Sequence, residues 1–164
     1  TPLTERVSGV DIARNLCAIA ARDGFSIYFL GAAPGVAAQA ADRLRNQFSG
    51  LQIAGIHDGF FGDEESTSIA AEIRASGAKA MLVAMGIPRQ EKWIRKHLNE
   101  TGVCVAMGVG GTFDVFSGNV RRAPAWMQRH GLEWLFRLAM DPRKISKVAE
   151  LPVFAEMVLR GKKS

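Results

Sequence analysis

Cysteine is scarce in this chain: Cys17 and Cys104 are the only two in 164 residues. Cys17 lies in a helical pattern and Cys104 inside Val103-Cys104-Val105-Ala106, so both read as core. Neither has the spacing of a metal-ligand set or a CxxC pair, and the chain reads as cytosolic. Long apolar runs are also missing. None approaches the ~18 residues of a membrane-spanning helix, and no secretory signal pattern opens the sequence. No internal repeat or low-complexity tract is present, and a hydrophobic content of 48% with mean hydropathy +0.03 excludes a disordered chain. Acidic residues are short in one region alone: residues 121–164 hold ten Lys/Arg against four Asp/Glu, whereas residues 1–120 hold eleven against twelve. That asymmetry points to a polyanionic partner for the C-terminal quarter, either an acidic membrane face, a phosphorylated lipid or nucleic acid, or else to a solvated helical face. The opening at Thr1, without Met, reads as a boundary or a cleaved product.

What is present is an alternation of strands and helices within one domain's length. Ile12, Leu16, Ile19 and Ala20 recur at helical spacing until Asp23-Gly24. Residues 25–30 form an apolar strand that ends in Gly31-Ala32-Ala33-Pro34-Gly35, and a helix follows to about Phe48. Strands are predicted at 51–56, 79–84 and 103–107, with helices at 64–75 and 88–99 between them. The alternation predicts an α/β fold, a Rossmann-like open parallel sheet with helices on both faces and right-handed crossovers. From Pro124 the pattern changes to basic amphipathic helix, with Trp126, Trp134 and Leu135 among Arg129, His130 and Arg137. The sequence therefore divides into a nucleotide-binding core, 1–120, and a basic helical appendage, 121–164, suited to an anionic membrane surface or to packing on the domain or another subunit as a homo-oligomer.

The strand-end loops are where chemistry belongs, because ligands of open parallel sheets sit beyond the carboxyl ends of the strands. Gly31 and Gly35 open the helix that follows the first strand, yet the G-x-G-x-x-G pattern and a Walker lysine are both absent. A nicotinamide-dependent oxidoreductase is disfavoured, since no acid follows the first glycine turn at the ribose-binding distance. Met81 to Gly86 leads into Pro88, suited to a first helical turn, with Arg89, Gln90 and Lys92 as donors beside it. In His57-Asp58-Gly59-Phe60-Phe61-Gly62-Asp63, the two adjacent aromatics read either as an exposed ring that stacks on a nucleobase or as rings folded back into the core. His57 and Asp58 read either as a general base or as turn formers. Gly108, Gly110 and Gly111 let backbone approach a ligand, with Thr112 alongside, and Asp114 either accepts from a uracil or ribose or caps a short helix.

Seven ordered stretches together resemble one family. They are Glu5-Arg6-Val7-Ser8-Gly9-Val10-Asp11, Phe29-Leu30-Gly31-Ala32-Ala33-Pro34-Gly35-Val36, Gly59-Phe60-Phe61, Met85 to Trp93, Gly108 to Asp114, Arg121 to Gln128 and Gly131 to Leu138. The chain resembles the WecG/TagA/CpsF glycosyltransferases of bacterial surface-polysaccharide and cell-wall assembly. The resemblance implies an inverting, metal-independent transfer of a hexose-type sugar from a UDP-sugar to a polyprenyl-diphosphate-linked saccharide, without a cofactor, at the cytoplasmic membrane face. Family members move N-acetylmannosamine, its uronate or glucose. By the match Arg6 and Gln90 are catalytic, and the loops around Gly31, Phe60, Gly86 and Asp114 hold UDP. Arg137 and Arg143 belong to an appendage that covers the site. The resemblance further implies an upstream segment carrying the general-base Asp, so that this chain alone is expected to be inactive or very weak. In place of a DxD carboxylate pair for a metal, the sequence offers helix N-termini, backbone N–H groups and the planar forks of Arg6 and Arg89. The second reading is a non-catalytic nucleotide- or nucleic-acid-binding module. Against nucleic acid, the tail's Trp and Phe fall at helical spacing as packed side chains do.

Overall fold

A computed structural model describes residues 8–124, 126, 127 and 136. The chain forms two compact units, Thr1–Arg121 and Arg122–Ser164. In the second unit, residues 126, 127 and 136 are helical.

Among the described residues the first unit carries four strands, β1 (Ser26–Gly31), β2 (Gln52–His57), β3 (Ala80–Ala84) and β4 (Val105–Gly108), in one parallel sheet of order β2-β1-β3-β4. Its described helices are α1 (Gly9–Asp23), α2 (Val36–Gln47), α3 (Ser66–Ala75), α4 (Arg89–Thr101) and α5 (Thr112–Phe116), with a 3-10 turn at Asp63–Glu65. The expected α/β architecture is thus observed, and the period-two alternation of β1 explains how both faces are covered. Ile27 and Phe29 pack with α1, α2 and α5, while Tyr28 and Leu30 pack with α3 and α4. Phe113 of α5 stacks on Phe29 with ring centroids 4.7 Å apart, fixing the short helix to the sheet.

Two expectations are corrected. The buried face of α1 is Val10, Ala13, Cys17 and Ala20, while Ile12 and Ile19 are 43% and 40% exposed. Small side chains let the helix lie close to its neighbours, so closeness rather than bulk selects the inward face. Cys104 is exposed instead of buried, because it precedes β4, an edge strand whose Val105 is also exposed.

Cys17 is buried as expected, and that burial pushes its thiol pKa up to about 12. An unfolded thiol ionises near ~8.5, so at higher pH the unfolded chain loses a proton that the folded chain keeps. This contribution to stability is complete below pH ~8.5 and falls by about 1.4 kcal/mol per pH unit above it, until the folded thiol itself ionises. Burial and the hydrogen bond to Glu72, 2.6 Å from the Tyr28 hydroxyl, also raise the Tyr28 pKa, steepening the decline above pH ~10. Urea unfolding between pH 8 and 10 is expected to show this slope, and Cys17→Ala to flatten its first part. An unchanged slope in the variant would remove Cys17 from the effect.

Candidate active site

The sheet order reverses between β1 and β3, the switch point at which open α/β sheets bind ligands. The strand ends meet there unusually closely. The Ala32 N–H donates to the Ala84 carbonyl at 2.8 Å, and the Gly59 N–H to the Ala32 carbonyl at 2.8 Å. A Cβ on Gly31, where φ is +116°, would stand 2.5 Å from the Ala84 carbonyl oxygen. Ala32 itself adopts φ +63°, a left-handed conformation rare for an L side chain.

Above these ends opens a cleft of about 740 Å³, within the ~300–1,000 Å³ typical of small-molecule sites. Ala32 and Ala33 after β1, Gly59 to Asp63 after β2, and Ala84, Met85 and Arg89 around the end of β3 line it, with Glu65 at one side. The two phenylalanines divide as the sequence allowed. Phe60 is 75% exposed in the cleft wall. Phe61 turns inward, edge-on to His57 and Trp93 at 5.4 and 6.5 Å. His57 and Asp58 act as turn formers: the His57 Nδ1 lies 2.9 Å from the Asp58 carbonyl, and Asp58 Oδ1 accepts the Phe60 N–H at 2.8 Å.

Arg89 lines the cleft, but its guanidinium is engaged with the protein. One terminal nitrogen donates to the Gly59 carbonyl and the other to the Phe61 carbonyl, each at 2.7 Å, while the group lies 5.0 Å from the Phe61 ring centre. The planar fork expected to grip phosphate thus clamps the β2 loop. Pro88 takes the N-cap position, one residue before the expected first turn, after a cis Ile87–Pro88 bond.

Gln90 departs further from expectation. It is 3% exposed and is not among the residues lining the cleft. Its Oε1 accepts the Gly110 N–H at 3.0 Å and its Nε2 donates to Glu91 at 2.8 Å. A Cβ on Gly108 would stand 2.7 Å from Gln90 Nε2, so the glycine there makes room for a side chain of the protein itself. The Thr112 hydroxyl donates to the Val109 carbonyl at 2.6 Å, and Thr112 is buried. Asp114 lies in the first turn of α5, with its main-chain carbonyl accepting from the Ser117 hydroxyl and the Val120 N–H. Gly108, Gly110, Gly111, Thr112 and Asp114 therefore form a loop held to α4 through Gln90, outside the cleft lining. Gly31 and Gly86 each adjoin a lining residue, and Gly35 is the N-cap of α2. Arg6, Arg137 and Arg143 lie outside the described residues.

Sequence reasoning missed Asp63 and Glu65. Both carboxylates line the cleft, Glu65 Oε2 accepting the Gly62 N–H at 3.0 Å. Acids directly after a glycine- and aromatic-rich strand end were the available signal. Among the described residues no group of three or more His, Cys, Asp or Glu is placed to hold a metal ion.

The whole chain, residues 1–164, matches the family profile of the glycosyl transferase WecG/TagA/CpsF family. The chain belongs to that family. It is also 37% identical over 163 residues to an N-acetylglucosaminyldiphosphoundecaprenol N-acetyl-beta-D-mannosaminyltransferase of Bacillus spizizenii. The alignment covers 99% of this chain and 63% of that relative, so the chain spans under two thirds of the relative's length. Among the described residues of this family member, no helix is long and apolar enough to cross a membrane.

Proposed function

We propose that this chain carries the donor site of an inverting, metal-independent glycosyltransferase, which moves a hexose-type sugar from a UDP-sugar to a polyprenyl-diphosphate-linked saccharide. The observation behind the reading is the 740 Å³ cleft at the β1/β3 switch point, in a member of this family. N-acetylmannosamine leads among the candidate sugars because the Bacillus relative is named for its transfer, and an N-acetylglucosaminyl-diphospholipid is the corresponding acceptor. The basic excess of residues 121–164 is the proposed contact with the anionic inner face of the cell membrane.

In this reading the uracil stacks on exposed Phe60 and the diphosphate lies over the β1 and β3 ends, toward the N-termini of α2 and α4. As C1 of the donor becomes oxocarbenium-like, negative charge gathers on the leaving UDP and is met by those helix dipoles and backbone N–H groups. The acceptor hydroxyl must lose its proton to a base on the opposite side of the sugar. Asp63 and Glu65 are the carboxylates that line the cleft, whereas the family resemblance assigns this base to an Asp other than these two.

Calorimetry tests the donor site. UDP is expected to give a binding isotherm that EDTA leaves within two-fold, whereas NAD gives no heat. Phe60→Ala is expected to weaken UDP by about 1–3 kcal/mol, at least five-fold, from the lost stacking. No heat from UDP in a folded sample would sink the reading.

A further inference from the structure

A second hollow of about 340 Å³ adjoins the cleft, lined by Phe61, Asp63, Pro88, Arg89, Lys92, Trp93, Lys96 and His97. Phe61, Asp63 and Arg89 line both cavities and so belong to a shared wall. The α4 residues recur at helical spacing, which gathers Arg89, Lys92, Trp93, Lys96 and His97 along one flank. Lys92 and Lys96 are exposed, and neither ammonium makes a hydrogen bond or ion pair with a described residue. Three permanent cations thus face a single carboxylate, Asp63. His97 is turned by Glu100, whose Oε2 lies 2.8 Å from Nδ1. Trp93, 6% exposed, carries an indole Nε1 that is buried with no hydrogen-bond partner.

Two unpaired ammonium groups beside aromatic walls make a cavity for a phosphorylated ligand with an apolar portion. We infer that this hollow binds the diphosphate of the lipid-linked acceptor, across the Phe61–Arg89 wall from the donor cleft. The inference rests on the transferase reading above. A transferase joining a nucleotide sugar to a diphospholipid must hold two anions that repel one another, and neighbouring cavities with a cationic partition meet that need. Lys92 and Lys96 are the proposed electrostatic contacts, and the first prenyl units would lie against Trp93 and Phe61.

The test is calorimetry of the full chain with geranyl diphosphate and with inorganic pyrophosphate, each with and without saturating UDP. The variants are Lys92→Gln/Lys96→Gln and, as a control on α4 outside both cavities, Arg95→Gln. Geranyl diphosphate is expected to bind in the presence of UDP. The double variant should weaken it ten-fold or more, with UDP affinity within two-fold and the thermal midpoint unchanged. Unchanged geranyl diphosphate affinity in the double variant, or an equal loss in Arg95→Gln, would overturn the inference. So would pyrophosphate binding as tightly as the prenyl compound, which would make this a free-anion site. Lysine-dependent geranyl diphosphate binding in a protein that does not bind UDP would support the hollow while sinking the donor cleft.

Discussion

Gly31→Ala is expected to cost about 3–5 kcal/mol of folding stability, a large share of the ~5–15 kcal/mol available to a domain. Two penalties combine there. The new side chain must adopt φ +116°, and its Cβ would lie 2.5 Å from the Ala84 carbonyl oxygen and 2.9 Å from the Ala84 nitrogen. Both obstructing atoms are backbone of the neighbouring strand, paired with β1 in register, so neither can move aside without opening the sheet. Urea unfolding measures the cost, and Gly77→Ala separates its parts. Gly77 has φ +69°, and a Cβ added there would meet nothing within 4 Å, so it reports the cost of a left-handed position without a clash, about 1 kcal/mol. Equal costs at the two positions would show that the close strand approach contributes nothing. Because Gly31 also sets where Ala32 enters the cleft, any folded Gly31→Ala protein should bind UDP at least ten-fold more weakly.

Arg89→Ala is expected to reduce UDP affinity by ten- to a hundred-fold while lowering stability by only about 1–2 kcal/mol, since the side chain is exposed and water replaces part of what is lost. The removed bonds are the two at 2.7 Å to the carbonyls of Gly59 and Phe61. Without them the loop carrying Phe60 is tied mainly by the Gly59 N–H to Ala32 and by the Asp58 turn, so the aromatic wall loses its fixed position. Arg89→Lys should rescue little, because one ammonium cannot bridge two carbonyls set for a planar fork. Calorimetry with UDP, beside thermal unfolding, checks both. Affinity restored by lysine would mean that charge at this position, rather than the clamp, matters.

The same residues show how far the sequence could be read. The alternation of apolar strands with helices and the glycine-terminated strand ends made the parallel sheet legible, because periodicity and chain stops are local properties. Gln90 was read as a free donor because its motif position says nothing about burial, and only the packing of α4 against the β4–α5 loop turns it toward Gly110. The family match put Phe60 in a UDP-holding loop, while the residues alone left open whether either ring turned into the core. The choice followed once Asp58 held the Phe60 N–H and Trp93 received the edge of Phe61. The stripe Arg89, Lys92, Trp93, Lys96, His97 was visible as helical spacing, yet a stripe becomes a cavity only when a second element walls it. Here that element is the loop bearing Phe61 and Asp63.

The sequence by itself determined the order and type of the elements, the family and the edge of the sheet where a ligand belongs, all of which follow from residues close together in the chain. The tertiary structure alone decided which strand-end loops share the cleft. Hydrogen bonds between residues 20 to 30 positions apart tie Arg89 to the β2 loop and Gln90 to the β4 loop, and no local pattern encodes such pairings.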